Sequence, residues 1–348
     1  MNARTTVGIA STGIYLPAGR MTAKEIAEAT GGHWTKEAVE TKLGIYEKIV
    51  PGEEDGTQEM GVCAALDALK NGGVDAKELD VILCIGEEWK EYPLTTSSIY
   101  IQEQIGATNA WGIDVQQRCC TCVAAMKIAK DMMIADEEVK TVMIVGGYRN
   151  GDLVDYSDPV SSMLYNLSAG GGALILKRNH PYNEVLGTHL LTDGSMARDA
   201  GVEVGGTANP INQDNLQEAY QSLKLMRPDH MKERLNEVSM KNWFNCIDRA
   251  FEKSGLSKEE LSYLAVLHFK PSMHAYMLKT LGLTEAHTTY LSRYGHMGQI
   301  DQILSLHIGR REEKIQEGTV VAMIAAGIGY AWAANVIRWG PVKEREES

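Results

Sequence analysis

Two features that the sequence lacks narrow its possible functions: a surplus of basic residues and a long apolar run. Its 34 Lys and Arg residues are set against 46 Asp and Glu residues, so the formal charge is −12. Nucleic acids and anionic membrane surfaces attract basic proteins, and an acidic chain is poorly suited to either. No apolar run reaches the roughly 18 residues of a membrane span, and the N-terminal segment has no apolar stretch of secretory type. The sequence therefore predicts a cytoplasmic protein whose partners include neither nucleic acid nor a membrane.

Cysteine is also scarce, and half of it is concentrated in one place. Three of the six cysteines, Cys119, Cys120 and Cys122, lie close together in the chain. This crowding argues against a disulfide framework and indicates reduced thiols, one of which is a candidate nucleophile. Cys119 and Cys122 form a CxxC pair, but a zinc site needs further ligands, and a redox motif belongs near the start of a small domain. We therefore predict no metal site, and we interpret Cys120 and Cys122 as small buried side chains.

Short β-rich runs alternate with helical patterns along most of the chain, which indicates a layered α/β protein with buried strands. The predicted strands are residues 7–12, 81–86, 112–117, 141–147, 171–177, 263–269 and 319–327. The predicted helices are residues 22–30, 57–71, 96–105, 121–135, 230–254, 272–281 and 299–315. The pattern divides into two similar halves, residues 1–178 and 179–348, with an inserted loop region at 195–229. Strand-to-helix junctions of both halves are expected on one face, where open α/β sheets usually form their sites.

Cys119 is the strongest candidate for a chemical role. It follows the predicted strand 112–117 and precedes the predicted helix 121–135. The unsatisfied N–H groups and the positive dipole at a helix N-terminus favour the thiolate form of a cysteine placed there. A thiolate attacks thioesters well, and the same N–H groups can stabilise the oxyanion that forms. We therefore predict that Cys119 is a nucleophile that carries an acyl group.

Two segments of the second half supply candidate acid–base groups. His268 lies near the end of an apolar predicted strand, where a histidine taken alone is more often a hydrogen-bonded core residue. Beside an activated cysteine, its imidazole can take or give a proton near neutral pH. His296 and Asp301 lie in a glycine-marked turn that leads into a helix. His296 could donate a hydrogen bond to a substrate carbonyl and Asp301 could orient an imidazole, although capping or structural roles fit the pattern equally well.

A glycine-rich segment near the C-terminus, residues 325–332, has no lysine for binding phosphate and is a poor nucleotide motif. We interpret it as backbone that packs close to the reactive thiol. A free N–H within Gly327, Ile328 and Gly329 would then complete an oxyanion hole.

Together these segments resemble the ketoacyl-ACP synthase III family from about residue 6 to residue 340. The resemblance rests on the run DVQQRC that ends at Cys119, on the order of the later motifs, and on the closing run AGIGYAWAANVIRWG. It implies a five-layered thiolase fold (αβαβα) of two pseudo-symmetric halves, in a homodimer. It also implies an acyltransferase of the β-ketoacyl synthase III type in fatty acid or polyketide biosynthesis, which uses acyl-CoA or acyl-ACP and holds no permanently bound cofactor. By the same resemblance Trp34 stacks on the adenine of coenzyme A, while its position equally fits a boundary aromatic residue.

In that family an acyl thioester first acylates the cysteine. A malonyl thioester then loses carbon dioxide, and the resulting carbanion attacks the acyl enzyme. A histidine and an asparagine donate hydrogen bonds to the malonyl thioester carbonyl. His268 matches the family histidine, whereas His296 stands where asparagine is usual. The resemblance therefore implies a condensing enzyme in which an imidazole N–H replaces the amide.

The departure at His296 leaves two other interpretations open. The pattern GHxGxxDQ also looks like relatives that transfer an acyl group to an oxygen, nitrogen or sulfur nucleophile, or hydrolyse the thioester, without forming a carbon–carbon bond. In these His268 would be a general base and Asp301 its orienting partner. The chain could also be a non-catalytic partner subunit of a hetero-oligomeric synthase. Arg118 and Thr121 depart from the family pattern as well, which favours a specialised role over the start of fatty acid synthesis.

Overall fold

Strands and helices alternate along the chain in the computed structural model, which describes residues 4–328 and 330–342. The strands are β1 (Val7–Tyr15), β2 (Gly19–Thr22), β3 (Glu47–Val50), β4 (Val81–Cys84), β5 (Trp111–Asp114), β6 (Thr141–Tyr148), β7 (Gly170–Arg178), β8 (Tyr182–Thr192), β9 (Ala200–Val202), β10 (Leu223–Leu225), β11 (Leu261–Val266), β12 (Val320–Gly327) and β13 (Ala331–Pro341). The helices are α1 (Ala23–Ala29), α2 (Lys36–Ala38), α3 (Thr57–Gly72), α4 (Ser97–Ile105), α5 (Thr121–Ala135), α6 (Leu216–Ala219), α7 (Pro228–Ser254), α8 (Pro271–Thr280) and α9 (Asp301–Arg311). All seven predicted strands and all seven predicted helices are present, with shifted ends.

Nine of the strands form one sheet that consists of two similar groups. Its order is β11-β12-β13-β8-β1-β7-β6-β4-β5. In the first group β7 is antiparallel to β1 and β6, and β4 is parallel to β6 and β5. In the second group β13 is antiparallel to β8 and β12, and β12 is parallel to β11. The groups meet at one residue pair, Gly8 with Glu184. This repeat of strand directions confirms the predicted pseudo-symmetry, while the division of domains at residue 178 remains a prediction.

Helices α5 and α9 lie between the two groups of strands. Each contacts both groups: α5 packs against β6, β7, β8, β12 and β13, and α9 packs against β1, β7, β11 and β12. Both helices are buried along most of their length, and the buried residues of α9 include the polar Asp301, Gln302 and Ser305 beside apolar ones. Outside, α3 covers β1, β7 and β6, and α7 covers β8 and β13. The layers are thus helix, sheet, helix, sheet and helix, which confirms the predicted αβαβα arrangement.

Three glycines allow α3 to lie directly on the sheet. They are Gly13 of β1, Gly147 of β6 and Gly171 of β7. A Cβ added to any of them would lie 2.1 to 2.2 Å from a backbone carbonyl oxygen of α3. Such an approach is far inside van der Waals contact, and packed backbone cannot yield by much. The absence of side chains at these positions therefore sets the distance between α3 and the strands.

The segment 195–229 is more ordered than the predicted loop. It contains β9, β10 and the short helix α6, and α7 already begins at Pro228 within it. Proline suits the first turn of a helix, where its missing N–H would have no intrahelical partner. Among the described helices, α7 included, none is long and apolar enough to cross a membrane.

Candidate active site

Cys119 lies in a tight turn between β5 and α5. The turn is a short 3-10 segment, Arg118–Cys120, that runs directly into α5. Arg118 has a φ of 52°, in the left-handed region, which costs a non-glycine residue of order 1 kcal/mol. Glu87 and Glu88 hold the Arg118 guanidinium at 3.1 and 2.8 Å. Cys119 is only 8% exposed and lies just before the first residue of α5, Thr121, as the sequence predicted.

Cys119, His296 and Asp301 form a hydrogen-bonded series. Cys119 Sγ is 3.2 Å from His296 Nε2, and Nδ1 of the same ring is 2.6 Å from Asp301 Oδ2. The buried carboxylate also accepts the backbone N–H groups of Met297 at 2.7 Å and His268 at 2.8 Å. Because a carboxylate only accepts, His296 Nδ1 carries a proton and Nε2 is the atom that faces the sulfur.

The surroundings of His296 favour its charged form. Burial opposes protonation, but attraction to the Asp301 carboxylate and the Cys119 sulfur outweighs burial, and the pKa of His296 is raised well above its ordinary value. The imidazolium then donates from Nε2 to Cys119 Sγ, which favours the reactive thiolate. All six cysteines are free, and burial raises the pKa of Cys120 well above its ordinary value and that of Cys122 to about 12. Their interpretation as buried side chains is confirmed.

The His268 ring borders the same cavity with different partners. Its Nε2 is 3.2 Å from Gly44 O, and its Nδ1 is 3.1 Å from Asn166 Nδ2. Burial lowers the pKa of His268 to about 4, so the ring is neutral at pH 7 and has one N–H. The Gly44 carbonyl accepts that N–H from Nε2, so Nδ1 accepts from the Asn166 amide.

This geometry corrects one sequence prediction. In the acyl-transfer interpretation, Asp301 was to orient the ring of His268 as a general base. The prediction is wrong because Asp301 reaches only the backbone N–H of His268, whereas its bond to a ring goes to His296. His296 is therefore the imidazole placed to exchange a proton with Cys119.

A cavity of about 260 Å³ joins these groups. Cys119, His268 and His296 all line it, so the structure brings the candidate nucleophile of the first half together with both candidate histidines of the second. The rest of its lining is mostly apolar, as in most small-molecule sites. These apolar residues include Leu43, Met163, Leu164, Leu167, Leu235, Met240, Trp243, Leu267, Phe269, Met273, Ile328 and Trp332.

The glycine-rich segment lies against the nucleophile, as predicted. A Cβ added to Gly327 would be 3.1 Å from Cys119 N, and Ile328 lines the cavity. Gly329 lies outside the described residues. The oxyanion-hole role of Gly327, Ile328 and Gly329 therefore remains a prediction.

Trp34 is not among the residues that line the cavity. Its half-buried ring lies edge-on to that of Tyr165, with 6.0 Å between the ring centroids. Its predicted contact with coenzyme A remains a prediction.

Three residues around His268 were not predicted: Gly44, Lys48 and Asn166. Lys48 is buried, and its Nζ donates to Tyr165 O at 2.8 Å and Leu167 O at 2.7 Å, on either side of Asn166. Burial lowers the pKa of Lys48 to about 7. The contacts of Asn166 and Gly44 with His268 span 102 and 224 positions in the chain, so no local pattern could have indicated them.

Two protein-family models match the chain. They describe 3-oxoacyl-[acyl-carrier-protein (ACP)] synthase III, at residues 113–194, and its C-terminal part, at residues 251–339. The β-ketoacyl-[acyl-carrier-protein] synthases III of Prochlorococcus marinus subsp. pastoris and Xanthomonas campestris pv. campestris are 27% and 25% identical to this chain. The matches cover 96% and 97% of this chain and 97% and 100% of those proteins.

Solved structures show the same fold. The 3-oxoacyl-(acyl carrier protein) synthase III of Pseudomonas aeruginosa aligns with a TM-score of 0.82 at 15% identity, over 97% of this chain and 100% of that one. The priming β-ketosynthase of the R1128 polyketide pathway aligns with a TM-score of 0.81 at 21% identity, over 98% and 99%. The five layers and the repeated halves are thus shared with these structures and define the thiolase fold. By its two family models and its full-length relatives, the chain is similar to the ketoacyl-ACP synthase III family.

Proposed function

We propose that the protein is a type III 3-oxoacyl synthase that holds an acyl group on Cys119 and condenses it with a malonyl thioester. The observation that carries the proposal is the 3.2 Å contact of Cys119 Sγ with His296 Nε2 beside an apolar cavity. The cavity offers space for an acyl chain next to the sulfur that would bind it. The names of the relatives support the same reaction.

In the first step the Cys119 thiolate attacks the carbonyl carbon of an acyl thioester. The carbon–sulfur bond to the carrier breaks, and the leaving thiolate takes the Nε2 proton of His296. The products are acyl-Cys119, a neutral His296 and the free carrier thiol. Asp301 keeps the ring in place through Nδ1 while the proton leaves from the opposite nitrogen.

In the second step a malonyl thioester loses carbon dioxide and becomes an enolate. Its carbon attacks the acyl carbonyl of acyl-Cys119, the bond to sulfur breaks, and a 3-oxoacyl thioester leaves the site. Cys119 returns as a thiolate, and His296 takes a proton from solvent. One proton is consumed and one carbon dioxide released for each condensation.

The pairing of His296 with Asp301 favours a second candidate function. After acylation the neutral Nε2 of His296 can accept a proton, which is what an incoming hydroxyl, amine, thiol or water must give up to attack an acyl group. The alternative is therefore an acyltransferase or thioester hydrolase that uses the same acyl-Cys119 without forming a carbon–carbon bond.

The two candidates differ in their need for malonyl thioester. When the protein is incubated with acyl-CoA, we expect its mass to rise by one acyl group per chain. Addition of malonyl-CoA or malonyl-ACP should then remove the acyl group and release one carbon dioxide. Intact-mass spectrometry and trapping of labelled carbon dioxide measure both steps.

Cys119→Ala is the control for this experiment and should acquire no acyl group. Loss of the acyl group to water or to added nucleophiles, with no release of carbon dioxide, would reject condensation in favour of the second candidate. A wild-type chain that accepts no acyl group from any thioester would instead indicate the non-catalytic partner subunit.

We further infer that acyl-CoA and acyl-ACP are the carriers of the acyl group, that no cofactor is permanently bound, and that the protein works in the cytoplasm as a homodimer. A feature that supports the homodimer is the free edge of β5, which pairs with β4 and with no other described strand. Trp111 and Ile113 on this strand are 50% and 46% exposed. An apolar sheet edge of this kind invites pairing with another chain.

We expect Ile113→Glu to convert the homodimer into a monomer, because a carboxylate buried without a partner opposes association. Light scattering after size exclusion should fall from twice the chain mass to the chain mass. Tyr276→Glu, at a residue of α8 that is 51% exposed, should leave the mass unchanged. Dimers of equal strength in both variants would place the interface elsewhere.

A further inference from the structure

Asn166 lines the cavity, but the reaction described above gives its side chain no role. Its side chain is 7% exposed and lines the same cavity as Cys119, His268 and His296. Its backbone carbonyl accepts the backbone N–H of His296 at 2.8 Å. Its side-chain amide nitrogen donates to the His268 ring at Nδ1, at 3.1 Å. Asn166 is thus bonded to both histidine segments.

Asn166 also has unused hydrogen-bonding capacity. Its amide nitrogen has two N–H groups, of which one is engaged with His268, and Oδ1 is buried with no partner among the described residues. A buried amide usually has its groups satisfied, because an unmade hydrogen bond costs about 1 to 3 kcal/mol. An amide that lines a cavity and has unmade hydrogen bonds therefore indicates that a ligand makes them.

The condensation step needs such a donor. When a malonyl thioester loses carbon dioxide, negative charge develops on its carbonyl oxygen, and a hydrogen-bond donor must meet it. The N–H of the neutral His268 ring is taken by Gly44 O. His296 has already passed its Nε2 proton to the leaving thiol, and its Nδ1–H remains with Asp301. Neither histidine therefore has a free ring N–H in the acyl enzyme.

We propose that Asn166 is a catalytic residue of the condensation step and that its free amide N–H donates to the thioester carbonyl of the malonyl substrate. This inference rests on the proposed function. Because Gly44 O accepts the N–H of His268 at Nε2, Nδ1 of that ring is an acceptor and holds the amide nitrogen of Asn166 toward it. Lys48 holds the backbone on both sides of Asn166 through Tyr165 O and Leu167 O.

Asn166→Leu tests the proposal because leucine has a similar volume and no donor. The two half-reactions are measured separately, as the rate at which acyl-CoA acylates Cys119 and the rate at which preformed acyl enzyme releases carbon dioxide from malonyl-CoA. We expect the first rate to stay within about 3-fold of wild type and the second to fall about 100-fold, the usual loss when one oxyanion donor is removed. Asn166→Asp, which keeps the shape of the side chain but has no N–H, should show the same selective loss.

The matched control is Asn335→Leu. Asn335 is another buried asparagine whose Oδ1 has no partner among the described residues, and it lies outside the cavity lining. It should lose stability without a selective loss of either half-reaction. The proposal is overturned if both Asn166 variants release carbon dioxide at the wild-type rate, or if acylation falls as much as condensation. Failure of the proposed function is a separate result, since the wild-type protein would then release no carbon dioxide at all.

Discussion

His296→Ala is expected to slow the acylation of Cys119 by about 10³-fold to 10⁴-fold, the range that general acid–base catalysis and catalytic triads lead us to expect. The substitution removes the imidazolium that faces Cys119 Sγ at 3.2 Å and the proton that the leaving thiolate requires. It also leaves the Asp301 carboxylate buried without its ring partner. The measurement is the rate of mass increase with acyl-CoA under single-turnover conditions.

His268→Ala is the matched comparison, because it removes a second buried imidazole from the same cavity. The His268 ring bonds Gly44 and Asn166 and has no bond to the sulfur among the described contacts. Acylation should therefore stay within about 10-fold of wild type, a loss smaller than that of a general acid, while condensation falls because the Asn166 amide is no longer held. Equal losses of acylation in both variants would contradict the assignment of His296 as the partner of Cys119.

Gly171→Ala is expected to lower the free energy of unfolding by about 3 kcal/mol or more, the upper range for overpacking a close-packed interior. The new methyl group would lie 2.1 Å from Met60 O, which is backbone of α3 and cannot rotate away. Either α3 must move off the strands or the strand must bend. The midpoint of urea unfolding, followed by circular dichroism, measures the loss.

Gly194→Ala provides the control for this substitution. A Cβ at Gly194 would meet no atom of the described part of the chain within 4 Å, so its effect should stay within about 0.5 kcal/mol, as for most surface changes. Gly147→Ala, which meets Thr57 O at 2.1 Å, should repeat the large loss. Full stability of both strand variants would show that α3 is free to shift.

Much of the fold could be predicted because local patterns and packing agree in it. The helices were recognised from periodic apolar residues, and strands of both groups enclose the central pair, α5 and α9. The strand β8 was not predicted, since polar residues interrupt it. Their partners come from distant parts of the chain: Glu184 binds Arg4 at 2.8 Å, and Thr188 binds Asn335 at 2.6 Å.

The candidate site shows a similar division. Cys119, His268, His296 and Asp301 could be named because each lies in a recognisable junction or turn. Which histidine serves the sulfur could not, because that depends on the direction of two rings, and the directions are set by long-range bonds. Asn166 gave no signal at all, as its segment has neither a motif nor a periodic pattern.

The carboxylate of Asp301 ties the His268 backbone, the His296 ring and the Met297 backbone into one unit. A substitution that shifts any of these segments disturbs the others, so the reacting groups have little freedom to drift. Helix α7 is different, since it contributes residues such as Leu235, Met240 and Trp243 to the cavity wall and makes no described hydrogen bond to that unit. Changes of acyl preference, in evolution or by engineering, should therefore accumulate on α7 while the chemistry stays constant.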